Sequence, residues 1–181
     1  MFLLLVYCCS LHVQAQEKYQ YVFVDKHTKD HIVQVRAKSP VILTNNQRDS
    51  LLRTSATILS SYDKTVNIGQ LTEKEKQKFL SAKAIDIILA IAPDYYRNRL
   101  DIAVDETPER IKKTYRHSDH SVDDNSYVVT FVLGDEEKPK FLGNGFKVYL
   151  DKHSGEFLAA WVPIHNDLYV FSYEYYKRAF N

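Results

Sequence analysis

The chain has 181 residues, with 24 Lys+Arg against 23 Asp+Glu, 45% hydrophobic residues and only five Gly and five Pro. That composition excludes a disordered chain, a collagen-like repeat, a coiled-coil rod and a linker-rich protein. The net charge of +1 supplies no basic stripe of the kind that nucleic acid requires. The length suits one domain with its own core.

The first residues read MFLLLVYCCSLHVQAQ. Phe2 to Val13 form a mostly apolar run too short to cross a bilayer as a helix. Val13-Gln14-Ala15 then offers small or apolar residues where a signal peptidase reads, although no Lys or Arg precedes the run. Residues 1–15 are therefore expected to be a signal peptide, and 16–181 a single exported domain, periplasmic or secreted. An alternative uses Leu5-Val6-Tyr7-Cys8, which loosely resembles a lipoprotein box with Cys8 or Cys9 as the lipid anchor. Tyr7 suits that box poorly. Cleavage after Ala15 removes both cysteines, and with them thiol catalysis and Cys-type zinc sites.

Tyr19 to Val24 and Ile32 to Ala37 read as a hairpin joined by DKHTKDH. Thr44-x-x-Gln47 is a capping box, so a helix should start there, with Leu51, Leu52, Ser55, Ala56, Leu59 and Tyr62 as its apolar stripe. A second capping box, Thr72-x-x-Glu75, opens a stronger helix. Within it, Ala84 to Ala92 leaves Asp86 alone as a polar residue, and Pro93 ends it. From there the pattern turns to β. Leu100, Ile102 and Val104 alternate with polar or small residues, Ile111 to Arg116 is a weaker strand, and Ser126 to Leu133 and Gly145 to Leu150 are strong ones. Asp151 to Gly155 should be a tight connection with Gly155 at positive φ, returning as a strand over Glu156 to Val162. Leu168 to Tyr176 reads as a last extended segment.

The helix SAKAIDIILAIAP, followed by strands and by GFKVYLDKHSGEFLAAW, resembles PepSY-like domains and the immunity-type modules of exported bacterial proteins with a nuclear-transport-factor-like or cystatin-like fold. The matching turn runs Val148, Tyr149, Leu150, Asp151, Lys152, His153, Ser154, Gly155, Glu156, with Trp161 after it. The likeness covers residues 71–163. It implies an α+β fold with two helices packed on a curved antiparallel sheet. It also implies non-catalytic work: binding a partner protein or peptide, restraining a peptidase or neutralising a toxin.

Two groups of residues could carry chemistry. His117, His120 and Asp123 or Asp124 lie within RHSDHSVDD and could ligate a divalent metal, which suggests a metal-dependent hydrolase as one alternative. HxxH without the Glu of HExxH lacks that class's general base, and turn-formers in this number suit a solvated loop. The carboxylates Asp135, Glu136 and Glu137 read as an exposed charged face. At the C-terminus Tyr169, Phe171, Tyr173 and Tyr175 fall at period two, which would put four rings on one strand face. Together with Trp161 they form the expected partner-binding set, or on a third reading a glycan-binding row. Core packing of the same rings is the competing expectation. No cofactor motif is present, and neither a nucleic-acid partner nor a transmembrane segment is expected.

Overall fold

Local capping chemistry sets the two long helices. Thr44 Oγ1 accepts from Gln47 N at 3.3 Å while Gln47 Oε1 accepts from Thr44 N at 2.9 Å, opening α1 (Asn45–Ser60). Thr72 and Glu75 repeat the exchange at 3.3 and 3.0 Å and open α2 (Glu73–Ile91). The Thr72 hydroxyl, and after it the Thr72 backbone N–H, holds the Glu75 carboxyl below its ordinary range. Pro93 cannot continue α2 and instead begins a 3-10 turn, Pro93–Tyr95. These details come from a computed structural model, which describes residues 20–25, 43–63, 65–104, 108–115, 126–138, 145–162 and 168–180.

Among the described residues six antiparallel strands form one open sheet in the order β1-β6-β5-β4-β3-β2. They are β1 (Tyr21–Asp25), β2 (Leu100–Ala103), β3 (Ser126–Val132), β4 (Gly145–Asp151), β5 (Phe157–Val162) and β6 (Leu168–Ser172). The chain is thus α+β, as expected. Alternation sends Val129, Phe131, Phe146, Val148, Ala160, Val162 and Val170 to one face, where α2 buries Phe79, Leu80, Ala84, Ile87, Ile88 and Leu89 against them. Packing against α2, α1 turns Leu51, Leu52 and Leu59 toward the same core, whereas Ala56 of the expected stripe is exposed.

The second face carries helices where the sequence pattern predicts strands. Ile111 lies in α3 (Pro108–Tyr115), a helix and not a strand. Proline suits a first helical position, and the Glu, Arg and Lys residues after it favour helix over sheet. The chain also turns helical at Tyr173, where α4 (Tyr173–Phe180) begins, so the last extended segment stops at Ser172. The Ser172 hydroxyl caps it, accepting from Tyr175 N at 3.1 Å. Glu174 in its first turn and Lys177 and Arg178 in its last complement the helix dipole. On this α4 face Ile111, Tyr175, Ala179 and Phe180 pack with Val24, Val128, Tyr149, Leu158, Ala159 and Phe171.

Two irregularities shape the sheet. Leu150 pairs with Phe157 and Tyr149 with Ala159, so Leu158 is an extra residue in β5. Leu158 and Ala159 consequently both reach the α4 face. Between β4 and β5, Asp151 Oδ1 accepts from His153 N (2.9 Å), Ser154 N (2.8 Å) and Ser154 Oγ (3.0 Å). Gly155 follows at φ 67°, as expected, and Ile68 N donates to His153 O at 2.9 Å, tying this turn to the segment ahead of α2.

The predicted partner of β1, Ile32 to Ala37, lies outside the described residues, as do residues 1–15; β1 itself pairs with β6. No helix among the described residues is long and apolar enough to cross a membrane.

Candidate functional site

Strand register arranges the α4 face in rows that run across the sheet. One row is Val22, Phe171, Ala159, Tyr149, Val128 and Ala103, each paired to the next. Its middle four residues are buried, and α4 covers Phe171: the rings of Tyr175, Tyr176 and Phe180 lie 6.1, 6.1 and 5.1 Å from it. The adjacent row is Val24, Tyr169, Trp161, Lys147, Thr130 and Asp101. Beyond Val24 this row is open. Tyr169, Trp161, Lys147 and Thr130 are half-buried and Asp101 is exposed. From Tyr169 to Asp101 it crosses five strands, roughly 19 Å at the usual ~4.8 Å strand spacing.

The open row changes chemistry along its length. Tyr169 and Trp161 are directly cross-strand, the closest side-chain neighbours that a sheet offers. Tyr169 stacks along its own strand on Phe171, with centroids 6.3 Å apart and planes 18° apart. Lys147 Nζ stands 5.9 Å from the Trp161 ring centroid, at the outer reach of a cation–π contact. Aromatic surface thus passes into a cation, a hydroxyl and a carboxylate.

The expected binding residues therefore separate. Trp161 and Tyr169 come together as neighbours with accessible surface. Phe171 and Tyr175 are core residues, closed in by α4. Tyr173 stands at the start of α4, 37% exposed, with Lys177 Nζ 4.3 Å from its ring centroid. The four rings do not share one strand face, because the strand ends before two of them. His117, His120, Asp123 and Asp124 lie outside the described residues. Among the described residues no group of three His, Cys, Asp or Glu is arranged to hold a metal ion.

A groove sits on the opposite side of the sheet. Leu43, Gln47, Ser50 and Leu51 face Tyr96, Arg97 and Asn98 across a groove of about 500 Å³. Arg97, which lines it, and its partner Glu137 correct the reading of Asp135 to Glu137 as an exposed acidic face. Both are buried, 8% and 4% exposed, as an ion pair. Asp135 does stay at the surface, paired with Lys138 at 2.5 Å, which holds its carboxyl below the usual range. Tyr95 beside the groove has its phenol pushed up to about 12 by burial, with Arg97 acting against this and Asp94 with it. Burial likewise raises Tyr96. Neither phenol is poised to give up a proton near neutral pH. No protein-family model, curated protein or solved structure matches the chain.

Proposed function

We propose that this chain is an exported, non-catalytic binding domain. It engages a protein partner through the open row of its sheet, with Trp161 and Tyr169 as the central contacts and Tyr173 at the margin. The observation that carries this reading is the contrast between adjacent rows. Helices α3 and α4 seal one, and the next keeps a cross-strand Trp–Tyr pair accessible. Trp and Tyr supply large contact area and dominate interface energetics, and charged or polar residues beside them suit an interface rim. An immunity or inhibitor role follows from the resemblance to exported immunity-type modules. In favour of the cystatin-like or nuclear-transport-factor-like fold stand an alanine-bearing α2 on an antiparallel sheet and the Asp151–Gly155 turn. Helices α3 and α4 on the far face lie beyond what that likeness implied.

The test is capture from the native compartment followed by measured affinity. Trp161→Ala/Tyr169→Ala should bind the captured protein about 30-fold or more weakly than wild type, as loss of a hot spot does. Asn46→Ala, on the exposed side of α1, should bind normally. A folded double variant with wild-type affinity would refute the contact set. Retention of polysaccharide and no protein would refute the partner class.

A further inference from the structure

Arg97 and Glu137 lie forty positions apart in the chain, one just after the 3-10 turn that follows α2 and the other in the β3–β4 connection. Arg97 Nε donates to Glu137 Oε2 at 2.9 Å and Nη2 to Glu137 Oε1, so the guanidinium fork holds both carboxylate oxygens. Nη1 turns the other way and donates to the carbonyls of Asp94 (3.0 Å) and Tyr96 (2.7 Å). Glu137 Oε2 also accepts from Gly134 N at 3.0 Å, while Glu137 N donates to Gly134 O at 3.0 Å. One buried pair thereby closes two separate backbone turns onto each other.

Other contacts also pack this region. Tyr95 packs on Phe146 and Tyr96 on Phe131, at centroid distances of 6.2 and 6.0 Å, and Val132 N donates to Arg99 O at 2.9 Å. Desolvating two charges commonly offsets their attraction, so a buried pair is weak grounds for net stability. Geometry is what it adds. A planar fork satisfied on both edges fits one path of residues 94–97 and one of residues 134–137, because each polar atom must find its partner away from water. We propose that Arg97–Glu137 is a conformational pin. It holds the Tyr96–Asn98 wall of the groove and the β3–β4 connection in one arrangement, and it contributes little to global stability.

Three variants test this, read by urea unfolding and by amide hydrogen exchange at Asp94–Asn98 and Gly134–Lys138. Glu137→Leu alone strands the guanidinium and should lower the unfolding midpoint. Arg97→Met/Glu137→Leu should restore the midpoint to the wild-type value or above, yet leave these two segments exchanging about tenfold faster, through loss of the bonds to the Asp94, Tyr96 and Gly134 backbone. Arg97→Lys keeps the charge without the fork and should loosen the same amides. A double variant no more stable than Glu137→Leu, or one that does not fold, would overturn the proposal by showing net stabilisation. Wild-type protection in the double variant would assign the ordering to the tyrosine rings, and in Arg97→Lys to charge alone; either result overturns the pin.

Discussion

The turn at Gly155 admits no side chain, and substituting alanine there tests the packing of α2 on the sheet. Gly155 has φ 67°, and a Cβ built on it would stand 2.5 Å from Phe79 Cε1 and 3.1 Å from Ile68 Cδ1. The left-handed backbone costs a non-glycine residue about 1–2 kcal/mol. Forcing a methyl group into packed core costs about 1–3 kcal/mol more, and the lower entropy of the unfolded alanine chain offsets about 0.4–1 kcal/mol. Gly155→Ala should therefore destabilise by about 1–4.5 kcal/mol. With a urea slope of about 2 kcal/mol/M, the unfolding midpoint should fall by about 0.5–2 M at unchanged slope. Far-UV circular dichroism and the emission of Trp161, the single tryptophan, supply two probes of that transition. The clash is separable from the backbone cost, because Phe79→Leu removes the atom that the new methyl meets. In that background Gly155→Ala should cost visibly less than in wild type. A midpoint shift below a few tenths molar, or equal costs in both backgrounds, would refute the account of this turn.

Three further outcomes follow from the same structure. Ser172→Ala removes the cap of α4 and should cost about 1 kcal/mol in urea unfolding, with faster amide exchange over Tyr173–Tyr176; unchanged exchange there would mean the hydroxyl does not cap. Burial opposes ionisation of Asp151, but the N–H groups of Ser154 and His153 and the Ser154 hydroxyl outweigh it and hold the carboxyl below its ordinary value. Its stabilisation is then complete above the unfolded value near pH ~4 and is lost as pH falls through the lower folded value. Midpoints measured from pH 6 down should decline less steeply for Asp151→Asn than for wild type, and equal slopes would contradict this. Gly145 has φ 110° and a Cβ there would lie 2.0 Å from Phe131 O, so Gly145→Ala should unpair the start of β4 and lose more stability than Gly155→Ala. The reverse order would show that the sheet yields more readily than the turn.

What could be read from sequence was whatever depends on near neighbours. Thr44 with Gln47 and Thr72 with Glu75 each complete a capping box within four positions, so both long helices were visible. The β-rich runs Ser126 to Leu133 and Gly145 to Leu150 marked two strands to within a residue of their ends, and Asp151 to Gly155 declared its own turn. The C-terminal rings were ambiguous because two periods fit one string. Tyr169, Phe171, Tyr173 and Tyr175 satisfy period two, while Tyr175 with Ala179 and Tyr176 with Phe180 satisfy a helical spacing of four. Ser172 ahead of Glu174, with Lys177 and Arg178 closing the segment, was the signal that decides for a helix. In α3, PERIKKTY, Ile111 is the one aliphatic residue, which gives periodicity nothing to work on. Glu137 was out of reach in a different way, since nothing local says which of three neighbouring carboxylates meets an arginine forty residues upstream. The open row likewise exists only through strand register, which aligns residues from β2, β3, β4, β5 and β6.

Trp161 stands in that row between Tyr169 and Lys147 and is the chain's only tryptophan, so its emission reports on the proposed interface without a label. Titration with the captured partner should shift Trp161 emission to the blue and shield it from acrylamide. Tyr169→Ala should move the midpoint of that titration to higher partner concentration. A partner that binds with full affinity while leaving the emission and quenching of Trp161 unchanged would contradict the central claim that this face of the sheet makes the contact.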